Sequence, residues 1–133
     1  MRPAFKFAIT VALGLTGLVA GCQDALGPGE SIVLPITDLV VPAEVRVNDV
    51  LVVRVSIATS GCKTLVGLNA VRTEGRVTLT ARGNDTSGEN ANCSDDIRTE
   101  VRDYRADPPF SDPFTVVANQ PDGSTTTRTV RVR

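Results

Sequence analysis

From residue 31 onward, short apolar runs alternate with polar positions and are broken by turn residues, the period-two signature of half-buried strands. The clearest run is 50–58. Leu51, Val53, Val55 and Ile57 fall on one face, and Val50, Val52, Arg54 and Ser56 on the other, which predicts a central strand. Residues 76–82 alternate as cleanly, with Val77, Leu79 and Ala81 inward and Arg76, Thr78, Thr80 and Arg82 outward. Joined to 65–73 across Glu74-Gly75, they predict a hairpin. Residues 114–118 and 126–132 predict a closing hairpin, with Pro121-Asp122-Gly123 as its turn. Residues 31–36 and 38–41 predict a first strand interrupted by Pro35. Such an interruption suits an edge or a change of sheet, because proline cannot donate to a ladder. A further strand, 43–47, runs into the turn dipeptide Asn48-Asp49, and 59–63 turns the chain again.

Two segments are less regular. Residues 83–96, GNDTSGENANCSDD, predict a long polar loop that holds Cys93. Residues 97–105 fit two templates. Ile97, Val101 and Tyr104 fall at helical spacing behind a cap at Ser94 or Asp95, with Asp107-Pro108 as a stop. As a strand, the same stretch sets Ile97, Thr99 and Val101 on one face and Tyr104 on the other; the β elements on both sides favour the strand.

The pattern before residue 31 is of another kind. Arg2 and Lys6 precede an uncharged apolar run, 7–20, that ends in small residues and leads into Cys22. That is the plan of a secretory signal, and a run of about 21 Å is too short to cross a hydrocarbon core of about 30 Å. Val19-Ala20-Gly21-Cys22 resembles the lipobox of bacterial lipoproteins. The resemblance implies cleavage before Cys22 and acylation of it, palmitate included, so that the mature protein is anchored to membrane lipid at the cell envelope. Several acyl chains would make the tether lasting. In a host with two membranes, Gln23 in place of the retention aspartate points to the outer membrane; in a host with one, the protein faces outward. The competing readings are an ordinary cleaved signal and a Cys22 that pairs with another thiol. With Cys22 acylated, the three-cysteine chain leaves Cys62 and Cys93 to pair with each other.

The expected organisation is therefore a signal peptide over 1–21, a lipidated Cys22 and tether over 22–30, and one domain over 31–133. Extended, residues 23–30 reach about 26 Å. Arg2 and Lys6 leave with the signal, so 12 of 14 basic residues remain against 15 acidic ones, a formal charge of -3. No basic excess points to nucleic acid. The mature chain holds 17 Val, two Phe, one Tyr, and neither Trp nor His, a composition suited to strands.

Seven or eight short strands in one exported domain predict an all-β fold, a single antiparallel β-sandwich. With Gly61-Cys62 after a strong strand, Cys93 before a late one and a final hairpin beginning at Phe114, the arrangement resembles the immunoglobulin-like or fibronectin-III-like modules of bacterial lipoproteins. It departs from antibody domains in lacking a core Trp and in having both cysteines near loops. The bridge is thus expected to staple loops at one pole.

Candidate chemistry is thin. Without His, the commonest general base and metal ligand is missing, and His-dependent triads and zinc sites are excluded. Ser60-Gly-Cys-Lys63 matches S-x-x-K, the nucleophile motif of penicillin-binding enzymes. Its partner motifs are absent, however, and a turn is the plainer reading. Asp85, Glu89, Asp95 and Asp96 supply oxygen donors suited to calcium, but the EF-hand spacing fails and a solvated loop accounts for them. Phe110, in Asp107-Pro-Pro-Phe-Ser-Asp-Pro-Phe114, is either an exposed anchor for a partner protein or a cover for the end of the sandwich. The expectation is a non-catalytic module without cofactor that binds or scaffolds an envelope protein through the pole loops 59–64 and 83–96 or through its edge strands. The alternative is a small envelope inhibitor or stress lipoprotein that presents a disulfide-stapled loop to an enzyme. A protruding stapled loop would favour inhibition, and a flat face or open edge would favour assembly.

Overall fold

A computed structural model describes residues 29–88 and 92–133. The signal, Cys22 and the tether as far as residue 28 lie outside the described residues, as does Glu89. Nine strands and no helix occur among those described: β1 (Glu30–Val33), β2 (Ile36–Val40), β3 (Glu44–Val45), β4 (Leu51–Thr59), β5 (Lys63–Arg72), β6 (Arg76–Asp85), β7 (Arg98–Ala106), β8 (Phe114–Asn119) and β9 (Thr125–Val132). They form a six-stranded sheet and a three-stranded sheet, β2-β4-β7. Strand β6 organises the larger sheet. Its whole length pairs with β5 on one side, while β1 pairs its last residues and β8 its first on the other; β9 and β3 continue outward from β8.

Alternation decides which side chains meet between the sheets. Leu51, Val53, Val55 and Ile57 of β4 are fully buried, as are Val77, Leu79 and Ala81 of β6. Phe114, Val116 and Ala118 of β8 and Val130 of β9 complete the same core. Each large aliphatic or aromatic side chain buried in this way contributes about 1.5–3 kcal/mol relative to exposure. Strand β4 is central to its sheet, and the ambiguous stretch is strand β7, joined to β4 by nine consecutive pairs from Leu51↔Ala106 to Thr59↔Arg98.

The chain changes sheets at Pro35. Residues before it pair with β6, and residues after it pair with β4. The backbone N–H of Ile36 donates to Gln120 Oε1 at 3.1 Å, and Gln120 Nε2 donates to the Ile36 carbonyl at 2.9 Å. One side-chain amide thus replaces a strand where the ladder is broken.

Three expectations are corrected. The fold is not purely antiparallel, since β6–β8 and β3–β9 pair in parallel. After β6 the chain runs back through β7 in the other sheet, so β8 starts from the same end as β6. Strand β3 follows β2 across to the larger sheet without reversing, and its two residues are all that remains of the expected 43–47 strand. Third, the polar loop begins after Asp85, not at Gly83. Gly83, Asn84 and Asp85 stay in β6 because they pair on both sides, Gly83 with Ile32 and Leu65, and Asp85 with Glu30 and Lys63. Two ladders override the turn-like composition. Gly83 is required there because a Cβ would lie 2.6 Å from both Leu34 Cδ1 and the Thr64 carbonyl oxygen.

Candidate functional site

Strand directions define two poles. At one lie Glu30, Lys63, Asp85, Thr59, Arg98 and the β8–β9 turn; at the other lie the Glu74-Gly75 turn, residues 107–113 and Arg133.

The first is the disulfide pole. Cys62 and Cys93 are bridged, with Cα atoms 5.3 Å apart, and the bond ties loop to loop rather than crossing the core. Its surroundings are drawn down onto the sandwich. The Thr86 N–H donates to the Cys62 carbonyl at 2.9 Å, and the Gly61 N–H donates to the Ser94 carbonyl at 3.3 Å. A Cβ on Gly61 would stand 2.6 Å from the Ser94 nitrogen, so the approach depends on glycine. The S-x-x-K residues form a turn here, closed by the Ser60 N–H donating to the Lys63 carbonyl at 2.9 Å.

The acidic candidates are not assembled. Asp85 accepts from both the N–H and the hydroxyl of Ser87, and these bonds hold its carboxyl below the usual aspartate range. Asp95 and Asp96 are exposed, and among the described residues no three His, Cys, Asp or Glu side chains are grouped to hold a metal. Beside the bridge, a shallow groove of about 340 Å³ is lined by Leu34, Pro35, Ala58, Lys63, Ile97 and Pro121, with Ile97 79% exposed.

The opposite pole is closed by packing. Phe110 is 7% exposed and belongs to the core, so the second of its two sequence readings holds and it is no surface anchor. Its ring meets Phe114 edge-to-face at 5.0 Å, and the Arg72 guanidinium carbon lies 4.8 Å from the Phe110 centroid and 5.7 Å from that of Phe114. Arg72 Nη2 also donates to the Pro109 carbonyl at 2.6 Å. The Pro108–Pro109 and Asp112–Pro113 bonds are cis, and the segment is fastened by Ser111 N–H to the Glu74 carbonyl and by Val132 N–H to Asp112 Oδ1, each at 2.8 Å. Sequence reasoning missed Arg72 and Gln120. Both act across long separations, and no local spacing reveals a partner 37 or 84 residues away.

A third surface is the small sheet. Its outer face carries Val40, Val52 and Val101 around an exposed Arg54–Asp103 ion pair of 3.1 Å, and the carboxylate raises the Arg54 pKa by hydrogen bond and charge. At its rim, β7 pairs only with β4 among the described strands. Its inner face shifts from Ala106 and Tyr104 to charged side chains, with Arg102 Nη2 2.9 Å from Glu100 Oε2.

Comparison with known proteins found no matching family profile, no matching curated protein and no matching solved structure.

Proposed function

We propose that this protein is a lipid-anchored, extracytoplasmic assembly module of the bacterial cell envelope, an immunoglobulin-like sandwich that does no chemistry and engages its partner through the open edge of the small sheet. The observation that carries the reading is β7: nine regularly paired residues with no strand on the other side among the described residues, the kind of edge that accepts an added strand. The pole loops are the poorer candidates. Glu30, where the tether enters, lies at the disulfide pole. A reach of about 26 Å from an acylated Cys22 therefore turns loops 59–64 and 83–96 toward the lipid. The described flanks of the stapled loop, Thr86 and Ser94, are bonded to Cys62 and Gly61, an arrangement that favours the edge over the inhibitor reading.

The test has two parts. Intact mass of the membrane-extracted protein reads the anchor: the expected result is an acylated N-terminal Cys22 and a Cys62–Cys93 bridge, and an unacylated chain, with or without residues 1–21, overturns it. Photo-crosslinking side chains placed at Thr99 and, separately, at the exposed Ser87 of the pole loop read the surface. Products from position 99 and none from 87 support the edge; absence of product at 99 overturns it.

A further inference from the structure

Most free strand edges of this fold are blunted, as stable sheets require. Strand β1 is four residues long and β3 two; the pairing of β2 slips between Ile36 and Asp38, and that of β5 between Leu65 and Gly67. Strand β7 is neither short nor bulged, its register against β4 being unbroken over nine residues. Its one safeguard is charge, Glu100 and Arg102 on the inner face, which deters any strand whose charges do not match. Its outer-face Val101 is 48% exposed, and the Val101 carbonyl accepts only a side-chain bond from Arg102 Nη1, at 3.1 Å, among those outside the ladder.

The sequence of this edge, Arg98-Thr-Glu-Val-Arg-Asp-Tyr-Arg105, complements itself. When two copies meet antiparallel about Val101, Glu100 of each faces Arg102 of the other, Val101 covers Val101, Thr99 faces Asp103, and Arg98 faces Tyr104. Opposed residues keep to one face of the joined sheet, because a two-fold axis normal to it preserves the alternation. Only even shifts preserve that match, and the neighbouring ones are penalised. Centring on Arg102 sets that arginine against itself. Centring on Glu100 opposes two carboxylates and also pairs Arg98 with Arg102. Like charges directly opposite destabilise a strand pair and opposite charges stabilise it, so charge selects one register.

We infer that the partner of this edge is a second copy of the chain, paired β7 to β7 in antiparallel register about Val101, so that two small sheets join as one of six strands. The inference rests on the assembly reading above and names its partner. Glu100 and Arg102 are now paired within one strand at 2.9 Å and are both substantially exposed, so exchanging to the intermolecular pairs uncovers no buried charge.

Sedimentation of the full-length chain extracted in detergent, with Glu100→Arg and Arg102→Glu variants, tests it. The wild type is expected to dimerise, and each variant alone, with two opposed like-charge pairs, to do so about tenfold more weakly or worse. An equimolar mixture of the two variants restores all complementary pairs and should recover wild-type association as a mixed dimer. A wild type that stays monomeric at about 1 mM overturns the inference. Variants that associate as the wild type does, or a mixture that stays apart, also overturn it. Circular dichroism of each variant verifies the fold. Crosslinks from position 99 to a protein of different mass, with a monomeric wild type, sink self-pairing and leave the assembly reading standing. Absence of any product at position 99 removes both.

Discussion

The two ends of this sandwich are closed by different physics. At one, Phe110 and Phe114 plug the gap between the sheets, Arg72 lies over both rings, and residues 107–113 fold down as a cover. At the other there is no aromatic residue to spend. Polar loops are held instead by a covalent bond, a glycine contact and the side chain of Gln120. The aromatic end draws its stability from buried area and should come apart only with the whole domain. The stapled end limits the freedom of its loops and can open locally.

The heaviest blow to that contrast is Phe114→Ala. It removes a fully buried ring from the packed end and should cost about 3–5 kcal/mol, read as a lower midpoint in denaturant with loss of protection across all strands in hydrogen exchange. Reduction of the bridge, or Cys93→Ser, comes next. For a separation of 31 residues the loop-closure argument gives about 3–4 kcal/mol. The loss of protection should begin at residues 59–63 and 92–97, and identical melts with and without reductant would refute the staple's role. Gly61→Ala puts a methyl against the Ser94 backbone and should cost about 1–3 kcal/mol, with its effect largely absent once the bridge is reduced.

Acidity is the gentlest probe. Asp85 and Asp122 are held below the usual aspartate range by bonds from Ser87 and Ser124. A carboxyl depressed in the folded state stabilises above its unfolded pKa, and that stability is lost as the pH falls through the folded value. Without histidine, the melting temperature should stay level between about pH 5 and pH 8 and decline only below about pH 4. Asp122 is exposed and Asp85 only half-buried, so the slope should be shallow. Asp122→Asn should make it shallower at the β8–β9 turn.

Where burial is one-sided, the strands were legible. Alternation at 51–57 and 77–81 named the inward residues of β4 and β6, because one face of each strand meets a core. The bridge was legible from the cysteine count. The parallel pairs were not, since they follow from where the chain reverses rather than from any local pattern. Gly83 to Asp85 misled for a related reason: two flanking strands impose the extended form on residues that favour turns. Nothing in the spacing of the β7 charges tells that the strand lies at the rim of its sheet; its edge became a candidate site only once its neighbours were known.

Strand β1 bears on mechanics. Glu30–Val33 enters at the disulfide pole and runs inward alongside Arg82–Asp85, then crosses at Pro35 to lie against β4. A pull on the N-terminal segment along the strand axis therefore meets four paired residues in shear, loaded together, where a peeling geometry would break them one by one. Beyond Pro35 the same force passes into the other sheet through the Gln120 clamp on Ile36. An anchor on Cys22 of the kind proposed would pull on both layers at once, and drag on it would have to strain the whole sandwich before it could strip an edge.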